Sequence, residues 1–157
     1  MVVVRCANYP TGKGYEMSDN TVYRGIVRTG RGAGAGFMSD PGVLDGFKQW
    51  TGLSPVPGTL NILFTEPFDL SLLHYIALAD MGLNIDLAAM GIEFEGEAGW
   101  YYSLTVVADK YRAFIFFPTW TEDPTRYAEI VSTHHLRSTL SLEDGDAVGL
   151  RLVEKFT

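Results

Sequence analysis

Thr21-Val22-Tyr23-Arg24-Gly25-Ile26-Val27-Arg28 runs through Thr29 into Gly30-Arg31-Gly32-Ala33-Gly34-Ala35-Gly36-Phe37. In the first stretch Val22, Arg24, Ile26 and Arg28 alternate with Tyr23, Gly25 and Val27, the period of a strand whose two faces differ. In the second, glycine at alternate positions lets the backbone take positive φ and turn its N–H groups toward an anion. That is the physical requirement for holding a polyphosphate with few charged side chains. The pattern is neither a dinucleotide fingerprint nor a P-loop, because no Lys-Ser/Thr follows the glycines. The stretch predicts a strand that delivers the chain into a phosphate cradle.

Downstream, Pro57-Gly58-Thr59-Leu60-Asn61 reads as a turn entering a strand over Thr59–Phe64. Residues i and i+2 of a strand face the same way, so Thr59 and Asn61 offer two neutral oxygens on one side. Magnesium takes hard oxygen ligands and completes its shell with water and substrate phosphates. A phosphate cradle and a neutral oxygen pair together predict a nucleotide–Mg2+ enzyme. Between them Asp40-Pro41 supplies an N-cap and a first-turn proline. Val43, Leu44, Phe47 and Trp50 then recur at helical spacing, and Gly52 is the stop.

The rest of the chain reads mostly as short strands: Ile92–Glu95, Trp100–Val107, Arg112–Phe117, Ala128–Val131 and Ala147–Val153, each bounded by turn residues. Asp69-Leu70-Ser71 predicts the cap of a short helix through Ala79, Met81–Met90 fits loop or helix, and Leu136–Leu140 reads as another short helix. Six or so short strands with long loops predict a mainly β fold, a small closed barrel with short helices. Residues 1–20 are rich in turn chemistry and are expected to form a tail or a covering strand, leaving 21–157 as the barrel domain.

Composition narrows the function classes. At 157 residues one domain is expected, large enough for its own core. The single Cys6 cannot form an intramolecular disulfide, and no signal segment or membrane-length apolar run is visible. A cytoplasmic protein without a membrane partner is expected. Twelve Lys plus Arg against nineteen Asp plus Glu give a formal charge of −7, the wrong field for general nucleic-acid binding. Oligomeric state is not legible, and a monomer is compatible with the sequence.

In combination and in order, these motifs over residues 22 to 153 resemble the archaeal-type, CTP-dependent riboflavin kinases. The shared elements are the glycine-alternating loop ending in an aromatic, the Pro-Gly-Thr-Leu-Asn motif, and Thr121 eight residues before Glu129. His134-His135-Leu136-Arg137 and the turn Leu142-Glu143-Asp144-Gly145-Asp146 complete the set. The resemblance implies a six-stranded cradle-loop β-barrel. It also implies nucleotide contacts at Gly30, Arg31, Gly32, Ala33, Gly34, Ala35, His134, His135, Leu136 and Arg137, with Mg2+ ligands at Thr59 and Asn61. Flavin contacts fall on Thr121 and Glu129. Family members often carry a basic residue where this chain has Ala35, and the segment between Phe68 and Trp100 has no clear counterpart.

The implied reaction moves the γ-phosphoryl of CTP to riboflavin, giving FMN and CDP. Phosphoryl transfer asks mainly for alignment and charge stabilisation, so an obvious nucleophile is not required. Glu129 is the one carboxylate carried over, expected either to orient the ribityl hydroxyl or to accept its proton. The alternative reading is a non-catalytic flavin- or nucleotide-sensing regulatory barrel, and a DNA-binding barrel is disfavoured by the charge. Among local readings, adjacent His134 and His135 point in different directions and lack a third metal ligand. Trp120 and Tyr127 can stack on a flat ligand or pack on the barrel, and Asp144-Gly145-Asp146 reads as a turn.

Overall fold

A computed structural model of the chain describes residues 3–4, 15–17, 21–29, 40–83 and 85–156. The strands are β1 (Val3–Val4), β2 (Tyr15–Met17), β3 (Val22–Arg28), β4 (Leu60–Leu63) and β5 (His74–Ala77). They continue as β6 (Gly99–Val107), β7 (Tyr111–Pro118), β8 (Tyr127–Ser132) and β9 (Ala147–Phe156). Six of them pair in the order β3-β4-β8-β7-β6-β9, all antiparallel, and β9 returns to β3 with Tyr23 opposite Leu150 and Ile26 opposite Ala147. The ring is therefore a closed six-stranded barrel, which leaves these strands no open edge. Within residues 1–20, the described strands pair with the barrel, β1 with β3 and β2 with β9, both antiparallel.

Strand alternation separates two apolar layers. Tyr23, Val27, Leu60, Ile62, Ile115, Phe117, Ala128, Ile130 and Leu150 fill the interior. Phe114, Phe116, Val131 and Trp100 form a second cluster with Val43 and Phe47 of the helix α1 (Pro41–Thr51). Asp40 caps α1 by accepting from Gly42 and Val43 N–H, and Gly52, at φ 77°, closes it by donating to Lys48 O. Phe47 is fully buried and meets Phe114 edge-on, with ring centroids 5.1 Å apart. Burying one such ring contributes roughly 2–3 kcal/mol. Met81 and Leu83 join the same cluster, so part of the segment without a family counterpart serves to cover this outer face.

Two expectations for that segment fail. The cap at Asp69 is real, since its carboxylate accepts from Ser71 N, but it serves only a single 3-10 turn, Leu70–Leu72. The next residues become β5, because His74 to Ala77 find partners in Tyr102 to Gly99 of β6, and a second 3-10 turn, Leu78–Asp80, comes after it. Residues 92–95 form no strand: Ile92 N donates to Leu87 O within a turn, and no strand pairs with them. The helix expected at Leu136–Leu140 is present as α2 (Leu136–Thr139).

Candidate active site

Pro57-Gly58-Thr59 and His134-His135-Leu136-Arg137, far apart in the sequence, face each other across a cleft of about 250 Å³. Val56, Leu60, Ile130 and Ser132 complete its lining. Gly58 makes the approach: its φ of 94° lies where a side chain is strained, and it turns the chain into β4. Ser132, at the end of β8, fastens both walls. Its carbonyl accepts from Val56 N at 2.9 Å and its hydroxyl accepts from His134 N at 3.3 Å. Sequence reasoning does not single out Ser132, because a lone serine at a strand end carries no signal.

Beside the cleft, Arg28, Asn61, Glu129 and Phe116 stand opposite one another in register across β3, β4, β8 and β7. Since Leu60, Ile62, Ala128 and Ile130 point into the barrel, Asn61 and Glu129 project from its outer face. Thr59 Oγ1 donates to Glu129 Oε1 at 3.0 Å. The two residues, expected separately as a metal ligand and a flavin contact, are thus one hydrogen-bonded pair. Removal from water pushes the Glu129 carboxyl up from 4.5 to about 7, and the Thr59 hydrogen bond opposes the rise. The residue as a whole keeps some exposed surface, but its carboxylate lies in packed surroundings.

The remaining predicted residues fall around this centre. Thr121 lies in the loop after β7, where its hydroxyl donates to Pro118 O, and no hydrogen bond joins it to Glu129. His135 caps α2: its Nδ1 accepts from Ser138 N and lies 2.8 Å from Ser138 Oγ. His134 packs edge-on to Tyr111, with ring centroids 5.0 Å apart. Leu136 is buried against the barrel interior. Tyr127 is covered by the Arg28 guanidinium, 5.3 Å from its ring centroid, and Trp120 packs on the outer aromatic cluster. Gly30, Arg31, Gly32, Ala33, Gly34 and Ala35 lie outside the described residues.

Arg137 Nη2 donates to Asp144 Oδ1 at 3.0 Å and to Arg28 O at 3.4 Å. Asp144 Oδ2 accepts from Thr29 Oγ1 at 2.6 Å. The Thr29 hydrogen bond, then the Arg137 bond, hold the Asp144 carboxyl below its usual range. The sequence marks Arg137 as a nucleotide contact through the resemblance but Asp144 only as part of a turn. Among the described residues no group of three or more His, Cys, Asp or Glu side chains could hold a metal. No helix of the described residues is long and apolar enough to cross a membrane.

A family model for the CTP-dependent riboflavin kinases, described as "Domain of unknown function DUF120", matches residues 27–152. The chain is 33% identical to a riboflavin kinase of Methanocella arvoryzae over 88% of its own length and 60% of that protein's. It is 32% identical to a riboflavin kinase of Methanobrevibacter smithii, over 80% of this chain and 95% of the relative. A riboflavin kinase of Sulfurisphaera tokodaii is 30% identical over 82% of this chain and 93% of its own. The chain therefore spans less than two thirds of the first of these relatives and nearly all of the other two.

Proposed function

The chain belongs to the CTP-dependent riboflavin kinase family, and on that premise we propose that it transfers the γ-phosphoryl of CTP to the primary hydroxyl of riboflavin, giving FMN and CDP. The observation that carries this reading is a cleft lined by both Thr59 and His134 to Arg137, with Glu129 hydrogen-bonded to Thr59 at its side. We assign the activity to residues 21–157.

In this reading the ribityl oxygen bonds to the γ-phosphorus as the bond to the bridging oxygen breaks, and CDP leaves. Glu129 takes the hydroxyl proton. Its Oε1 is occupied by Thr59, while Oε2 has no hydrogen bond to a described residue and is left for the substrate. A carboxyl raised to about 7 is a competent acceptor near neutral pH, where a carboxylate of ordinary acidity would be too weak a base. Arg137 offers N–H donors to the phosphates, and the glycine-alternating segment supplies backbone N–H groups.

The donor set fits magnesium. Thr59 donates its only hydroxyl hydrogen to Glu129, which leaves the oxygen lone pairs for a cation, and Asn61 makes no side-chain hydrogen bond to a described residue. Both oxygens are hard and neutral, and they stand on one strand edge. When bound there, the ion would neutralise charge on the phosphate oxygens. Because neither ligand is charged, the metal is expected to arrive with the nucleotide.

The test is FMN formation from riboflavin with CTP, ATP, GTP or UTP in parallel, in the presence of Mg2+. FMN made chiefly from CTP supports the proposal. Riboflavin binding without FMN from any nucleotide would move the protein to a flavin-sensing role.

A further inference from the structure

The guanidinium of Arg137 is fixed at one corner only. Nη2 carries both of its hydrogen bonds, to Asp144 and to the carbonyl of Arg28, while Nε and Nη1 bond no described residue. Asp144 in turn holds the hydroxyl of Thr29, the last described residue before the glycine-alternating segment. The turn that carries Asp144 is stitched to β3 from both sides: Gly145 N donates to Val27 O and Val27 N donates to Asp146 O, both at 2.8 Å. One carboxylate therefore joins three segments, namely the end of β3, the α2 wall of the cleft, and the turn before β9.

Stability gives little reason for this arrangement. The Arg137 and Asp144 side chains are 37% and 52% exposed, and exposed pairs of this kind contribute little to folding. Its geometric effect is larger. An arginine held by one nitrogen keeps its remaining N–H donors on a wall of the cleft and has fewer rotamers to lose when it meets a phosphate.

We infer that Asp144 is a positioning residue for the nucleotide: with one carboxylate oxygen tied to the hydroxyl of Thr29 and the other holding Nη2 of Arg137, it presents the free donors of Arg137 at the cleft. The inference rests on the reading of this cleft as the CTP site. Asp144 touches no reacting atom and acts through Arg137, so its loss is read in nucleotide binding and not in the chemical step.

The experiment is calorimetry with CTP and steady-state kinetics on the wild type, Asp144→Ala, Asp144→Asn, Arg137→Ala and the Asp144→Ala/Arg137→Ala double variant. Asp144→Ala is expected to raise the CTP Kd and KM about five-fold, with kcat and the riboflavin KM within about two-fold. Asp144→Asn keeps an acceptor oxygen for Nη2 and is expected to recover part of the loss; it also decides the question if the alanine variant does not fold. In the Arg137→Ala background, Asp144→Ala is expected to change CTP affinity by less than about two-fold, because its only route is already gone. Full additivity in the double variant, or equal changes in both substrates' KM, would overturn the inference and leave Asp144 as part of a turn. CTP binding by the wild type that is unchanged in both Asp144 variants overturns this inference alone. A wild type that binds riboflavin but no CTP overturns it together with the nucleotide reading.

Discussion

Glu129 and Asp144 flank the same region of the molecule, and each accepts a hydrogen bond from a threonine hydroxyl, yet their acidities move in opposite directions. Around Glu129 the carboxylate is removed from water, and this outweighs the Thr59 bond and pushes the group up to about 7. Around Asp144 water is plentiful, so the Thr29 bond and the Arg137 guanidinium prevail and the group stays ionised below the usual range. The same bond thus leaves a proton acceptor at one position and a permanent anion at the other, and solvation decides which. The first suits a residue that moves a proton, the second a residue that holds an arginine.

The most damaging way to break the Glu129 side is to remove the oxygens beside it. Thr59→Ala/Asn61→Ala is expected to lower FMN formation by about 100-fold or more, while riboflavin affinity measured by flavin fluorescence changes little. Calorimetry of the wild type with Mg2+ alone should show only weak binding, since both proposed ligands are neutral. Tight binding without nucleotide would contradict this donor set.

Next in size is Glu129→Gln, which keeps the shape and removes the base. Loss of about 100-fold in kcat is expected, in the range of general-base deletions. The wild-type kcat should rise with pH through about 7 and level off above it, and this limb should vanish in the glutamine variant. A wild-type profile flat across neutral pH would remove Glu129 from the proton path.

The same contrast explains what the sequence could and could not disclose. The barrel strands and α1 are legible because each carries a local signal: alternation in Val22–Arg28 and Trp100–Val107, and a cap at Asp40 with a stop at Gly52. β5 is misread because Asp69 is a genuine cap, and only the pairing of His74–Ala77 with β6, more than twenty residues later, decides the conformation of the residues beyond that cap. The strand expected at Ile92–Glu95 has alternation but no partner to satisfy it. For the site, motifs name Thr59, Glu129 and Arg137, but the Thr59–Glu129 bond spans 70 positions and leaves no trace in either neighbourhood. Asp144 is hidden differently. Its turn chemistry is real and accounts for the local sequence, so nothing points beyond it to Thr29, 115 positions away.

Stability against pH sharpens the comparison further. Glu129 has its folded pKa above its ordinary value, so the folded state holds the proton more firmly between about 4.5 and 7. The stability this group contributes is full below about pH 4.5 and is lost as pH rises through about 7. Relative to the wild type, Glu129→Gln should therefore gain stability on going from mildly acidic to mildly alkaline solution. A shift of this size corresponds to roughly 3 kcal/mol, and the solvent still reaching the residue reduces the expectation to about 2 kcal/mol. Urea unfolding at the two pH values measures it, and a constant difference would show that Glu129 is not destabilised by its surroundings.

Asp144→Asn should show the smallest effect and the reverse slope. Its folded pKa lies below the ordinary 3.8, so the stability it contributes is present above that value and is lost as pH falls through the lower folded value. At neutral pH the variant should melt slightly lower than the wild type, by no more than about 3 °C, because the Arg137–Asp144 pair is exposed. The gap should shrink with added salt, which screens an exposed pair and hardly touches a desolvated carboxyl. It should also close as the solution is acidified below the ordinary aspartate range, where the Glu129→Gln difference is by then absent as well. Two carboxylates with the same threonine partner chemistry would then show opposite pH slopes and different salt responses. If the Asp144→Asn difference were instead insensitive to salt, the hydrogen bond to Thr29 and not the guanidinium would be what matters at this corner of the cleft.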